Sequence, residues 1–201
     1  VGNNGSGNLT LADPTSVAVV GSGLYVGNSS TSTGNIVAVD SGYIDINNNG
    51  LFVGRILGSD ATMTLGTNGG NLNDARIDIR GSNFEVGSGG EGTFTQESGT
   101  VDLQTNNLVI GQSAGSVGSY TINGGALNIQ AAGDINMNLG RATLTINGGS
   151  VSARAINPTY GTEPSTINLN AGSLTLGANI VDRAAESIFT YNGTQVSLNG
   201  G

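Results

Sequence analysis

A short phrase recurs eight times along this 201-residue chain and restricts its fold more than any other feature. The phrase is a hydrophobic alternation, a small turn that usually holds Gly, and a second hydrophobic alternation. Copies start at Leu9-Thr-Leu11, Val37-Ala-Val39, Met63-Thr-Leu65, Phe94-Thr-Gln96, Tyr120-Thr-Ile122, Leu144-Thr-Ile146, Ile167-Asn-Leu169 and Phe189-Thr-Tyr191. Turns such as Asn123-Gly-Gly-Ala126 and Asn147-Gly-Gly-Ser150 follow the first arm, and arms such as Leu127-Asn-Ile129 follow the turn. A third segment closes most units on Gly, as in Leu24-Tyr-Val-Gly27, Leu51-Phe-Val-Gly54, Phe84-Glu-Val-Gly87 and Leu108-Val-Ile-Gly111.

The closing Gly2, Gly27, Gly54, Gly87, Gly111 and Gly140 lie 24 to 33 positions apart, a period that signals a solenoid. Within each unit the apolar residues recur at every second position, the period of a half-buried strand. Three short strands per unit make one coil of a three-sided, single-stranded parallel β-helix. One coil cannot bury its own apolar face, so stacking must supply the core. The reading is therefore all-β: a single solenoid domain over 1–201, of about eight coils, right-handed as parallel crossovers are. Residues 182–187 (Asp182 to Ser187) have helical character and are expected to form a cap-like irregularity. Two insertions are expected to interrupt the coils, at Asn71 to Arg80 and at Asn157 to Pro164; loops that break a regular scaffold often carry function.

Composition narrows the function. Large aromatic residues make up 4% of the chain, too few for a bulky sandwich core but enough for rows of small aliphatics. Cys is absent, so neither disulfides nor thiolate metal sites contribute. Net charge is −8, the six basic residues are all Arg, and no basic stripe for nucleic acid is present. No apolar run is long enough to span a membrane as a helix. The start at Val1 reads as a processed or trimmed product, and the uncharged Asn, Ser, Thr and Gly surface points to an extracellular or cell-surface location.

Stacked coils align equivalent positions, so each column has its own chemistry. The turn after the first arm holds Asp40, Asn123, Asn147, Asn170 and Asn192, expected to form a corner ladder of side-chain amides. Outward positions of the first arm hold Thr10, Thr64, Thr95, Thr121, Thr145 and Thr190, and two residues earlier Asn8, Thr62, Thr93, Ser119, Thr143 and Thr166. Ile36, Ala38 and Asn168 interrupt these columns. Thr is favoured on any exposed strand. A flat face with Thr-x-Thr rows also resembles the water-ordering face of β-helical ice-binding proteins, which makes Thr62, Thr64, Thr93, Thr95, Thr121, Thr143 and Thr145 a candidate ice- or surface-binding face. Gln96 falls in an inward column of apolar residues and is expected to bond a neighbouring backbone or water.

Without His, Cys or Lys, nucleophile–His and lysine chemistry are excluded. Paired carboxylates for glycoside cleavage would be Glu97 with Asp102, or Asp74 with Asp78 near Arg76 and Arg80. Arg76, Asp78 and Arg80 alternate with Ile77 and Ile79, so a charge ladder on an exposed strand is the simpler reading. Gly89-Gly-Glu-Gly92 lacks the Asp of a calcium-binding β-roll, and Asn8-Leu-Thr10, Asn28-Ser-Ser30 and Asn192-Gly-Thr194 match a glycosylation sequon as an Asn/Thr-rich chain will by chance. No cofactor is expected, and the chain is not read as an enzyme.

The stretches Gly118-Ser-Tyr-Thr-Ile-Asn-Gly-Gly-Ala-Leu-Asn-Ile129 and Ala142-Thr-Leu-Thr-Ile-Asn-Gly-Gly-Ser-Val151 resemble the autotransporter-type β-strand repeats of bacterial surface proteins. The resemblance is one of repeat style, best between 84 and 176. It implies a right-handed β-helix, secretion and a surface or adhesive role, and no catalytic residues. Expectation thus centres on a non-catalytic extracellular structural or adhesive solenoid that stacks head to tail into fibres through open ends, with self-association and a carbohydrate or surface ligand as its partners. An ice-binding protein is the alternative, and a polysaccharide-binding or -cleaving β-helix a weaker one.

Overall fold

The computed structural model describes residues 1–2, 5–13, 15–32, 35–39, 41–66, 75–130, 132–158, 163–177, 187–191 and 195–198, with backbone alone at 35–38, 187–191 and 195–198. Among these, three parallel sheets wind into a three-sided β-solenoid. The first-arm sheet runs from Asn8–Leu11 to Ser187–Tyr191 and the second-arm sheet from Val17–Val20 to Gln195–Leu198, each with eight strands. The closing sheet holds six, from Leu24–Val26 to Ile156–Pro158. Every described strand pairs with its equivalent one coil away, never with its neighbour in sequence.

The eight sequence copies align as the register requires: Leu9 opposite Val37, Val37 opposite Met63, Met63 opposite Phe94, and so on through Tyr120, Leu144, Ile167 and Phe189. Strand alternation turns the described side chains of this column inward, so that Met63, Phe94, Tyr120, Leu144 and Ile167 stack as one buried column. Ile44, Ile77, Val101, Leu127, Val151 and Leu174 form the matching column of the second-arm sheet, and Leu51, Phe84, Leu108, Ile135 and Ile156 that of the closing sheet. The bulkiest part of this core is an aromatic cluster in which Phe84 meets Phe94 edge-on at 4.9 Å and Tyr120 stacks on Phe94 at 4.9 Å between ring centroids.

The closing glycines bend the chain from the third side back to the first. Gly54 has φ 70° and Gly87 φ 69°, left-handed values that side chains rarely adopt. A Cβ on Gly92, the next inward position, would lie 2.2 Å from the Val53 carbonyl oxygen. Packing at this corner therefore admits only small residues, and Gly118, Ala142 and Ser165 follow in the column.

Three expectations are corrected. Arg76–Ile79 is not part of an insertion: it is the second-arm strand of its coil, paired with Tyr43–Ile46 and Thr100–Leu103. Asn157 and Pro158 likewise belong to the closing strand Ile156–Pro158, paired with Ile135–Met137. Gly140 does not close its coil, because Ile110 pairs with Met137 and the position after it is Asn138. The cap-like segment lies outside the described residues except for Ser187, which opens a strand.

Candidate functional site

The first-arm face is built by pleat and register together. Inward Phe94 and Gln96 turn Thr93 and Thr95 outward, and the parallel register then sets Thr93 beside Thr62 on one side and Ser119 on the other. One row runs Thr62, Thr93, Ser119, Thr143, Thr166 and its companion Thr64, Thr95, Thr121, Thr145, Asn168. All but Asn168 carry a hydroxyl, and all are half-buried. Among the described residues only Thr145 of these hydroxyls enters a side-chain hydrogen bond, accepting from Asn168 Nδ2 at 3.3 Å. Ile36 and Ala38 occupy the same two columns opposite Thr62 and Thr64.

The outward positions of the second-arm strands in the same coils are mixed: Arg76, Asp78, Thr100, Asp102, Ala126, Asn128, Ser150, Ser152, Ser173 and Thr175. Strand propensity favours Thr on every exposed face alike. Hydroxyls recur on the second-arm face too, but there they fill both columns over only two successive coils, at Ser150 with Ser152 and Ser173 with Thr175, against four on the first-arm face, from Thr62 with Thr64 to Thr143 with Thr145.

Polar groups on the other positions bind coil to coil. At the turn after the first arm, Asn170 Nδ2 donates to Asn147 Oδ1 at 2.7 Å, Asn147 Nδ2 to Asn123 Oδ1 at 2.8 Å, and Asn123 Nδ2 to Glu97 Oε2 at 2.9 Å. The expected ladder is present from Asn123 to Asn170; Asp40 and Asn192 lie outside the described residues. Its foot is Glu97, which follows Gln96 just as Asn123 follows Ile122, although its carboxylate points the sequence reading to acid chemistry instead of to the ladder.

On the second-arm face Asp45, Asp78 and Asp102 lie in register in successive coils, three like charges in a row. Two guanidiniums interleave them. Arg76 Nε sits 2.7 Å from Asp78 Oδ1 and its NH2 2.9 Å from Asp102 Oδ2, while Arg80 Nε sits 2.7 Å from Asp45 Oδ1 and its NH2 3.3 Å from Asp78 Oδ2. Tyr43 completes the network by donating to Asp78 Oδ2 at 2.8 Å. The Asp78 side chain, read from sequence as solvent-facing, is only 4% exposed beneath this cover. The Asp78 hydrogen bond raises the Arg76 pKa, the Asp45 one raises that of Arg80, and burial raises that of Tyr43.

A second corner ladder precedes the closing strands: Asn83 Oδ1 accepts from the Asn107 backbone N–H at 3.2 Å, and Asn107 Oδ1 from that of Asp134 at 2.8 Å. Asp134 in turn takes Arg154 and Asn157. Its sequence signal is an Asn or Asp just before a closing segment, at Asn83, Asn107 and Asp134. Inside the rod, Gln96 behaves as expected: Nε2 donates to the carbonyls of Gly99 at 3.1 Å and Ala126 at 2.9 Å, and Oε1 accepts from Tyr120 at 2.8 Å.

The described candidate carboxylates are thus each held by neighbouring side chains. Glu97 takes Asn123, and Asp102 takes Arg76 and Asn128 (2.7 Å); Asp74 lies outside the described residues. An open recess of about 400 Å³ does lie over Arg76, Asp102, Gln104, Asn128, Gln130 and Ser152. Among the described residues no three His, Cys, Asp or Glu gather as a metal would need, and no helix is long and apolar enough to cross a membrane. Comparison with family models, curated proteins and solved structures finds no match.

Proposed function

We propose that this protein is a non-catalytic, extracellular structural or adhesive β-solenoid whose first-arm face is its contact surface. The observation that carries this reading is the division among the faces: charged and amide side chains tie coil to coil at the corners and on the second-arm face, while among the described residues every Thr and Ser hydroxyl of the two first-arm rows except that of Thr145 points outward without a side-chain hydrogen bond. The autotransporter-like repeat phrase supports the surface location. Adsorption of the purified chain to polysaccharide-coated and mineral surfaces tests it. Thr93→Tyr with Thr143→Tyr abolishes adsorption, and Ser152→Tyr on the second-arm face leaves it intact; equal adsorption by both variants overturns the reading.

The regularity of the two Thr rows over successive coils, roughly 4.8 Å apart across strands, favours ice as a second reading. Thermal hysteresis that disappears in Thr93→Tyr supports it, and no hysteresis in the unaltered protein refutes it. Head-to-tail stacking is a separate proposal, supported by the parallel pairing of each strand with its equivalent one coil away, a pattern that a second copy can continue. Electron microscopy over a concentration series decides between filaments and discrete rods.

A further inference from the structure

Asn123 and Asn147 are each followed by Gly, the neighbour that leaves an Asn amide most open to attack by its own backbone. In that reaction the glycine nitrogen attacks Asn Cγ. A new C–N bond forms, the Cγ–Nδ2 bond breaks, and Nδ2 leaves as ammonia with the proton lost by the glycine nitrogen. Water then opens the resulting succinimide to Asp or isoaspartate. The step requires the carboxamide to swing from its rotamer onto the following residue.

In this fold both ends of each carboxamide are held. Asn147 donates to Asn123 at 2.8 Å and accepts from Asn170 at 2.7 Å; Asn123 donates to Glu97 at 2.9 Å and accepts from Asn147. Asn170, the upper clamp, is followed by Ala171 and is itself less prone to the reaction. The products would also break the ladder: an acid at 123 sets a second carboxylate against that of Glu97, and an acid at 147 sets an oxygen against Asn123 Oδ1. We propose that the corner ladder locks two Asn–Gly pairs, at Asn123 and Asn147, against succinimide formation, with Glu97 as the positioning residue at its foot. The inference is independent of what the Thr face binds.

Peptide mapping by mass spectrometry, after incubation in warm, mildly alkaline buffer, measures conversion at each site. In the folded chain both sites convert about tenfold or more slowly than in the chain unfolded in urea, a barrier difference of about 1.4 kcal/mol. Glu97→Ala speeds conversion at Asn123, whereas Glu97→Gln, which keeps an acceptor oxygen, does not. Asn170→Ala speeds conversion at Asn147 and serves if Glu97→Ala does not fold. Folded and unfolded chains converting at one rate, or clamp variants converting as slowly as the unaltered protein, overturn the proposal.

Discussion

The Tyr120 hydroxyl donates to Gln96 Oε1 at 2.8 Å across one coil spacing, with both side chains wholly buried. This pair places a polar amide in a column of aliphatics without an orphaned group, because Gln96 Nε2 satisfies itself on the carbonyls of Gly99 and Ala126. Such a network is stable when complete and costly when halved.

Tyr120→Phe removes the donor and leaves Gln96 Oε1 buried and unpaired, at a cost of about 1–3 kcal/mol. Gln96→Leu on that background restores part of the loss, since an apolar pair needs no partner. Chemical denaturation of the single and double variants checks the expected non-additivity.

Burial raises the Tyr120 pKa well above its ordinary value, and burial is also the largest cause of the raised pKa of Tyr43. A raised pKa in the folded state means that the unfolded chain loses the proton first. The stability contributed by these two tyrosines is therefore full below about pH 10 and falls as pH rises beyond it. Melting curves in alkaline buffer show this loss in the native protein and a smaller one in Tyr120→Phe.

Asp78 holds Arg76, Arg80 and Tyr43 together from a nearly buried position. Asp78→Ala leaves two guanidiniums facing each other with one carboxylate fewer between them, and is expected to cost about 3 kcal/mol. Asp102→Ala, at the 21% exposed rim, costs about 1 kcal/mol or less. Thermal unfolding ranks the two, and a reversed order contradicts the arrangement.

Much of this fold was legible because its repeat reports the register directly. Alternation fixed which residues face inward, and the eight copies beginning at Leu9 and ending at Phe189 name the column that the sheet assembles. What failed was reading residues singly rather than by column. Arg76 to Arg80 reads as a strand from its alternation but as part of an insertion from its place in the chain, and only the match of its inward Ile77 and Ile79 to Ile44 and Ile46 puts it in the coil as the second arm. Gly140 reads as a coil end because Gly is frequent at every turn here, and only the pairing of Met137 with Ile110 shows the offset. Burial of Asp78 was illegible for a physical reason: its cover comes from Tyr43 and Arg80, and that depends on side-chain reach rather than on spacing.

Asn147→Leu removes both links that Asn147 makes, to Asn123 below and Asn170 above. The position is exposed, so each bond contributes at the low end of about 0.5–1.5 kcal/mol and the variant is destabilised by about 1–2 kcal/mol. Unchanged thermal stability removes the ladder from the account.

The most direct test of the division of labour among the faces is a set of melting temperatures measured side by side for Asn147→Leu, Asp78→Ala and the paired Thr93→Tyr and Thr143→Tyr variant. The ladder and carboxylate variants melt below the unaltered protein. The Thr-face variant melts with it to within about 0.5 kcal/mol, because Thr93 and Thr143 make no side-chain hydrogen bond in the rod and aromatic residues suit an exposed strand. A Thr-face variant that loses as much stability as the other two would contradict the claim that this face is kept for contact with something outside the molecule.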